Sequence, residues 1–344
     1  MTYIDHETKN ISFLNVWKQF RNDGLLRPPL FIFTLYDKDL IDIDPYDPNL
    51  TTIQKSKIIL ECTRNPWYYF REVARIYDMG VCNPDGSPPA MFELNKGNLA
   101  IIHTALLGMD HIVRLPRQHY REITYKQLLT YHFLFGANGN KTALFGPSAD
   151  DNTDVIDYIR NTIFYLPNYF HPNTKFADNI KYFKNMNINS GVYKVQIPKS
   201  NDRADKIARA LDANIQYYHL ADNNKYLEIL LHSSLPNFRR NQTRNGEHGP
   251  SKPYGIMVSS FINDDNSSFF VDHLISGALK WDDKFYDMSD EELREVMDKN
   301  SPNNFVHIQY DYKELGKDDE WFREQSKMLN NDEVRINREL LLKR

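Results

Sequence analysis

At 344 residues the chain can bury a substantial core, as one large domain or two modest ones. Its 41% hydrophobic and 26% charged composition is that of a folded globular protein, and a net charge of −4 excludes a global attraction to nucleic acid, so any DNA contact needs a local basic patch. No run of eighteen apolar residues offers a membrane span, the start does not read as a signal peptide, and the two cysteines, Cys62 and Cys82, form no Cys-x-x-Cys pair and fit a reducing compartment.

Residues 1–50 are polar and loop-rich. They close on Asp42-Ile43-Asp44-Pro45-Tyr46-Asp47-Pro48-Asn49, whose Asp-Pro turn signals predict an N-terminal arm without a core of its own. From Ile53 to Tyr77 apolar residues recur at helical spacing through Ile58, Ile59, Cys62, Trp67, Phe70, Val73 and Ala74, with Pro66 opening a second helix behind an Asn65 cap. Two glycines and three prolines in 78–90 predict a loop. Asn95–Leu107 reads as a helix, Asp110–Leu115 as a strand, and Ile123–Phe135 as a helix after an intervening loop, the order that a nucleotide-binding βα unit requires.

Lys141–Gly146 predicts a strand, Val155–Tyr165 a helix, Tyr193–Ile197 a strand and Ala204–Leu211 a helix. Ile215–Tyr218 and Tyr254–Ser259 are short β-rich runs of the buried parallel kind. Strands alternating with helices predict an α/β core with a mainly parallel sheet over 51–264. Residues 265–344 differ. Phe269–Trp281 and Glu291–Asn300 read as helices, Phe305–Tyr310 as a strand, and Asp319–Leu329 and Glu333–Leu342 as amphipathic helices of a C-terminal lid or subdomain.

The segment Ile112 to Ile123 has the outline of a phosphate-binding loop without its chemistry. Such a loop needs Gly for close backbone approach, Lys for the β/γ phosphates and Ser/Thr for Mg²⁺, and here Tyr120, Arg121 and Glu122 stand at those places. Arg117 and Arg121 remain able to hold an anion at a helix N-terminus. Arg239, Arg240, Arg244 and Lys252, in the polar stretch 237–252, are candidate DNA contacts, with a solvated loop as the plainer reading. Asp150, Asp151 and Asp154 lack the spacing of a calcium loop and read as a solvated helix start. Asp222 reads as a cap or surface carboxylate before a metal ligand. No His-Glu-x-x-His or comparable spacing appears, so no metal is expected.

Several ordered stretches resemble the ATPase portion of the large terminase subunit of tailed bacteriophages. They are Glu61 to Glu72, Phe92 to Leu99, Phe285 to Asp290, Asn304 to Ile308, and Leu329 to Asp332 with Arg338-Glu339. The resemblance implies a RecA-like P-loop NTPase fold, a ring on the capsid portal that hydrolyses ATP to drive DNA inward, and a C-terminal nuclease domain, of which no acidic cluster is present. It also places residues. The family's Pro-Arg-Gln-x-Gly-Lys-Thr is met by Pro116, Arg117 and Gln118, then by Tyr120, Arg121 and Glu122. Its apolar strand ending in Asp-Glu is matched by Ile215-Gln216-Tyr217-Tyr218-His219-Leu220, so that His219 stands for the Mg²⁺-holding Asp and Leu220 for the water-activating Glu. Its coupling strand is matched by Val258-Ser259-Ser260-Phe261-Ile262.

Three altered motifs serving one reaction imply a pseudo-ATPase without catalytic residues or cofactor, acting as a structural, regulatory or binding component among other phage proteins. Portal, motor or virion proteins are the implied partners, with DNA and self-assembly open, no membrane, and a place in the host cytoplasm or virion. The alternative is an active ATP-driven packaging motor that uses Mg·ATP through Arg121 and substitute carboxylates. A host-directed interaction protein is a third reading.

Overall fold

The computed structural model describes residues 2–5, 7–76, 89–119, 121–176, 182–196, 198, 200–221, 225–247, 255–262 and 269–343. Phe13, Val16 and Phe20 recur at helical intervals, and they form the buried face of α1 (Ile11–Asn22). Strand β1 (Tyr3–Ile4) precedes it and pairs antiparallel with β2 (Thr34–Leu35). Thr51 and Gln54 form a reciprocal capping box that starts α2 (Thr52–Arg64). Asn65 closes α2 and caps α3 (Pro66–Tyr68), where Pro66 costs no hydrogen bond in the first turn. The chain runs on as a π-helical turn over Tyr69–Val73.

These first fifty residues are not an arm. Phe13, Phe20, Ile32, Phe33 and Leu35 share one core cluster with Tyr69, Phe70 and Leu99. Arg71, fully buried, fastens the segment by donating to the Ile32 carbonyl at 2.6 Å and pairing with Asp5 at 3.6 Å. The polar composition of the whole segment hid a helix whose Phe13, Val16 and Phe20 share a buried face while Ile11 stays exposed.

Asn95 caps α4 (Lys96–Leu106), which leads to β3 (Asp110–Arg114), α5 (Arg121–Phe135), β4 (Lys141–Phe145) and α6 (Ala149–Tyr165). A hairpin follows, β5 (Thr174–Phe176) and β6 (Tyr182–Asn185), then β7 (Ser190–Lys194), α7 (Asn201–Ala210), β8 (Ile215–Tyr218), α8 (Lys225–Glu247) and β9 (Gly255–Ser259). The chain ends with α9 (Phe269–Ser276), β10 (Leu279–Lys280), α10 (Asp290–Asn300), β11 (Phe305–Gln309), α11 (Asp319–Met328) and α12 (Glu333–Glu339).

Among the described residues nine strands form one sheet in the order β10-β11-β3-β9-β8-β4-β7-β6-β5. It is parallel from β10 to β7, and only the β5–β6–β7 edge is antiparallel. Strand β9 lies between β3, which feeds the phosphate-type loop, and β8. The fold is mixed α/β with a mainly parallel central sheet. Adjacent residues of β3 face opposite layers: Val113 joins the cluster built on α1 to α5, and Ile112 joins the cluster under α7, α8 and α9.

The structure departs from the sequence reading in four further places. The strand expected at Tyr193–Ile197 is β7, displaced toward the N-terminus, because Gly191 opposite Lys184 leaves room for the Tyr182 ring. The helix expected over Phe269–Trp281 stops at Ser276, and the next residues turn into β10 after Gly277. The stretch 237–252 is no loop up to Glu247. It continues α8, whose Leu227, Leu230, Leu231 and Phe238 are buried, with Pro236 inside the helix. Finally, 265–344 is not a lid alone, since β10 and β11 extend the central sheet.

Candidate functional site

Parallel strands deliver their C-terminal ends to one rim, the usual place for a ligand in an open α/β sheet. Val113 pairs with Ser259 and Tyr218 with Val258, so the ends of β3, β9 and β8 stand level there. Beyond β3 the loop passes through Pro116 to His119, with Gln118 in the left-handed region at φ 62°. Tyr120 lies outside the described residues.

Arg121, expected at the position of a phosphate-loop Lys, opens α5 and turns to the end of β9. Its guanidinium donates to the Ser260 carbonyl at 2.5 Å and lies 4.0 Å from Glu122. Arg114 grips the same residue, donating from Nε to the Ser260 hydroxyl at 2.8 Å and from Nη2 to Asp272 at 3.0 Å. Two guanidiniums therefore hold one end of β9 through main-chain and side-chain oxygens. Ser259, also expected at the coupling motif, is fully buried. Glu122 is half-exposed beside Arg121.

Arg117 is engaged from outside the loop. Its N–H donates to the Glu339 carbonyl at 2.8 Å and its Nη1 to Glu339 Oε2 at 2.9 Å. His119 turns Nδ1 toward the Arg117 and Pro116 carbonyls, at 3.0 and 3.3 Å, and its ring meets the edge of Trp321 at 5.0 Å. Burial pulls the His119 imidazole below its ordinary range. The loop is thus packed against α11 and α12.

At the end of β8, the His219 N–H donates to the Phe145 carbonyl at 2.7 Å, and its Nδ1 lies 3.1 Å from the Tyr217 hydroxyl. Burial pulls its pKa down against the opposing charges of Glu122 and Asp151. Leu220 follows at φ 45°, a left-handed conformation uncommon for Leu. A cavity of about 330 Å³ opens there, with Leu115, Leu220, Phe261 and Ile262 as its apolar wall and Arg117, Arg121 and Arg338 at its rim.

The residues at this rim do not fit Mg·ATP. Mg²⁺ takes hard oxygen ligands, and β8 ends in an imidazole and an isobutyl group. Among the described residues no group of three or more His, Cys, Asp or Glu could hold a metal ion. The proposed substitute ligand Asp222 lies outside them.

Of the four candidate DNA contacts, the structure describes the side chains of Arg239 and Arg240. Arg239 turns to the opposite end of β3, where it pairs with the buried Asp110 and donates to the Asn303 carbonyl at 3.2 Å. It has a structural role there because Asp110, wholly enclosed, needs a counter-charge. Arg240 is exposed and donates to Asn237 at 3.0 Å. The Arg244 side chain and Lys252 lie outside the description. Asp150 and Asp151 sit in the first turn of α6, where Ser148 and Asp151 make a capping box.

Sequence reasoning missed Arg114, Asp272 and the Glu339 contact. The Arg338-Glu339 pair was visible as a stretch of family resemblance, but nothing in its spacing pointed to the loop two hundred residues earlier.

No protein-family model matches the chain, and no curated protein matches it in sequence. Among solved structures it is similar to the large terminase of a thermophilic bacteriophage, with a TM-score of 0.47 and 8% identity over 72% of this chain and 53% of that one. It is similar to a mutant of the Thermus phage P74-26 large terminase ATPase domain, with a TM-score of 0.47 and 14% identity over 72% of this chain and 93% of that one. For the large terminase of bacteriophage HK97 the values are 0.47 and 8%, over 73% of this chain and 50% of that one. The chain spans about half the length of the two full terminases it matches.

Proposed function

We propose that the chain is a catalytically degenerate, terminase-like P-loop protein that serves phage DNA packaging or the virion as a structural, regulatory or binding component. The observation that carries this reading is the end of β8, where His219 and Leu220 replace the carboxylates that phosphoryl transfer to water needs. Neither of these two side chains offers Mg²⁺ a hard oxygen ligand or the attacking water a carboxylate base. Arg121 adds to it, because its guanidinium is spent on the Ser260 carbonyl. The ordered stretches of terminase resemblance outside the altered motifs support a retained scaffold, with portal, motor or other virion proteins as partners in the host cytoplasm or the virion.

The test is phosphate release from ATP by the purified chain, with Mg²⁺ and with and without double-stranded DNA. No release above a buffer blank and no Mg²⁺-dependent nucleotide binding are expected. Turnover that Arg121→Ala abolishes would overturn the reading and leave an active packaging motor in its place. Affinity capture from infected cells tests the partners: captures without portal or terminase subunits would remove the packaging role.

A further inference from the structure

The cavity at the ends of β3, β8 and β9 is closed on one side by the chain's own last helix. Three guanidiniums line it, those of Arg117, Arg121 and Arg338, against the single carboxylate of Glu339, so the side-chain charge is three minus one, or +2. Glu339 divides its oxygens. Oε2 accepts from Arg117 at 2.9 Å, and Oε1 accepts from Arg335 within α12 at 3.1 Å. The main chain repeats the contact through the Arg117 N–H and the Glu339 carbonyl, at 2.8 Å. A phosphate-type loop offers an anion two kinds of donor, backbone N–H groups and a side-chain cation. Here one residue of the loop gives both to one residue of α12.

We propose that α12 is an autoinhibitory latch, with Glu339 as an internal surrogate anion that keeps a phosphate-bearing ligand off the cationic loop. This concerns regulation of the site read above as non-hydrolytic, and it rests on that reading for the site's place in the fold. The latch is built to open. The Arg117 and Glu339 side chains are 49% and 30% exposed, so water and salt screen their attraction. When they part, Glu339 keeps Arg335 and the Arg117 guanidinium is released for an incoming anion.

The closed state has one apolar plug. Leu342, just beyond the helix, adopts a left-handed φ of 52° that Gly adopts far more readily, and its buried side chain forms part of the cavity wall. The Lys343 N–H fixes this turn by donating to the Asn337 carbonyl at 2.7 Å. A phosphate group entering the cavity takes Arg117 from Glu339 and displaces Leu342 outward.

The experiment is calorimetric titration of the full chain with pyrophosphate, without Mg²⁺. Glu339→Gln should bind at least tenfold more tightly than the unmodified chain, and adding Arg117→Ala should erase that gain. Equal affinity with and without Glu339→Gln would overturn the latch, as would a gain that survives Arg117→Ala. Should Glu339→Gln fail to fold, hydrogen exchange on the unmodified chain decides. Saturating pyrophosphate should speed exchange in 333–343, and unchanged exchange there refutes the proposal. The two readings fail separately. ATP turnover by Glu339→Gln would refute the non-hydrolytic reading alone, whereas absence of the affinity gain would remove the latch alone.

Discussion

Asp110 and Arg239 illustrate how far a residue's role depends on what faces it. Asp110 starts β3 fully enclosed, and its carboxylate accepts from the Ile256 N–H at 2.6 Å while pairing with Arg239. Removing the arginine would strand a carboxylate where solvation is poor. Arg239→Ala should therefore cost about 3 kcal/mol of stability. Urea denaturation reads this, and a loss near that of Arg240→Ala, on the exposed side of the same helix, would restore Arg239 to the surface. The two arginines are neighbours in sequence and indistinguishable in type. Likewise, the altered residues Arg121, Glu122, His219 and Leu220 were legible at their motif positions, but Ser260 as the acceptor for Arg121 was not. That contact joins residues 139 apart, and the Arg117–Glu339 contact joins residues 222 apart. No local window contains both partners.

Legibility at the level of elements followed the density of apolar residues. Strands β3, β8 and β9 are buried along their whole length and were plain as short β-rich runs. Helix α8 was missed beyond residue 237 because polar side chains dominate that half, and α1 because it lies in a segment that is polar and turn-rich as a whole. For α1 the buried face is decisive. Phe13 and Phe20 have no exposed surface, and Phe20 packs edge-on against Tyr286 at 5.3 Å. Phe13→Ala should cost about 3–5 kcal/mol through lost burial and the cavity left behind. A thermal melt is enough to test it, since a detachable arm would leave the midpoint unmoved.

Acid sensitivity belongs to the whole molecule, because it depends on groups scattered through both core layers. Burial pushes His103, His111, His132 and His307 down to about 4. Each is neutral in the fold while the unfolded chain takes up a proton near pH 6.5, so their contribution is intact above 6.5 and is lost as the pH falls toward 4. Asp110 runs the other way. Burial pushes its carboxyl up to about 6, so its contribution is intact below 3.8 and is lost as the pH rises through 6. Four imidazoles outweigh one carboxyl, and stability should fall between pH 7 and 5 by on the order of 1–2 kcal/mol per imidazole, less the Asp110 offset. Urea midpoints that match at the two pH values would dismiss this account.

The sequence by itself determined the α/β alternation, the strand–loop–helix unit and the replacement of the loop and strand-end residues, because each depends on neighbours within a dozen positions. Only the tertiary structure decided the strand order, the inclusion of residues 1–50 and of β10 and β11 in the main body, and the closing of the loop by α12. Those features rest on pairings between distant segments, where burial and charge complementarity select one partner among many that local pattern leaves equivalent.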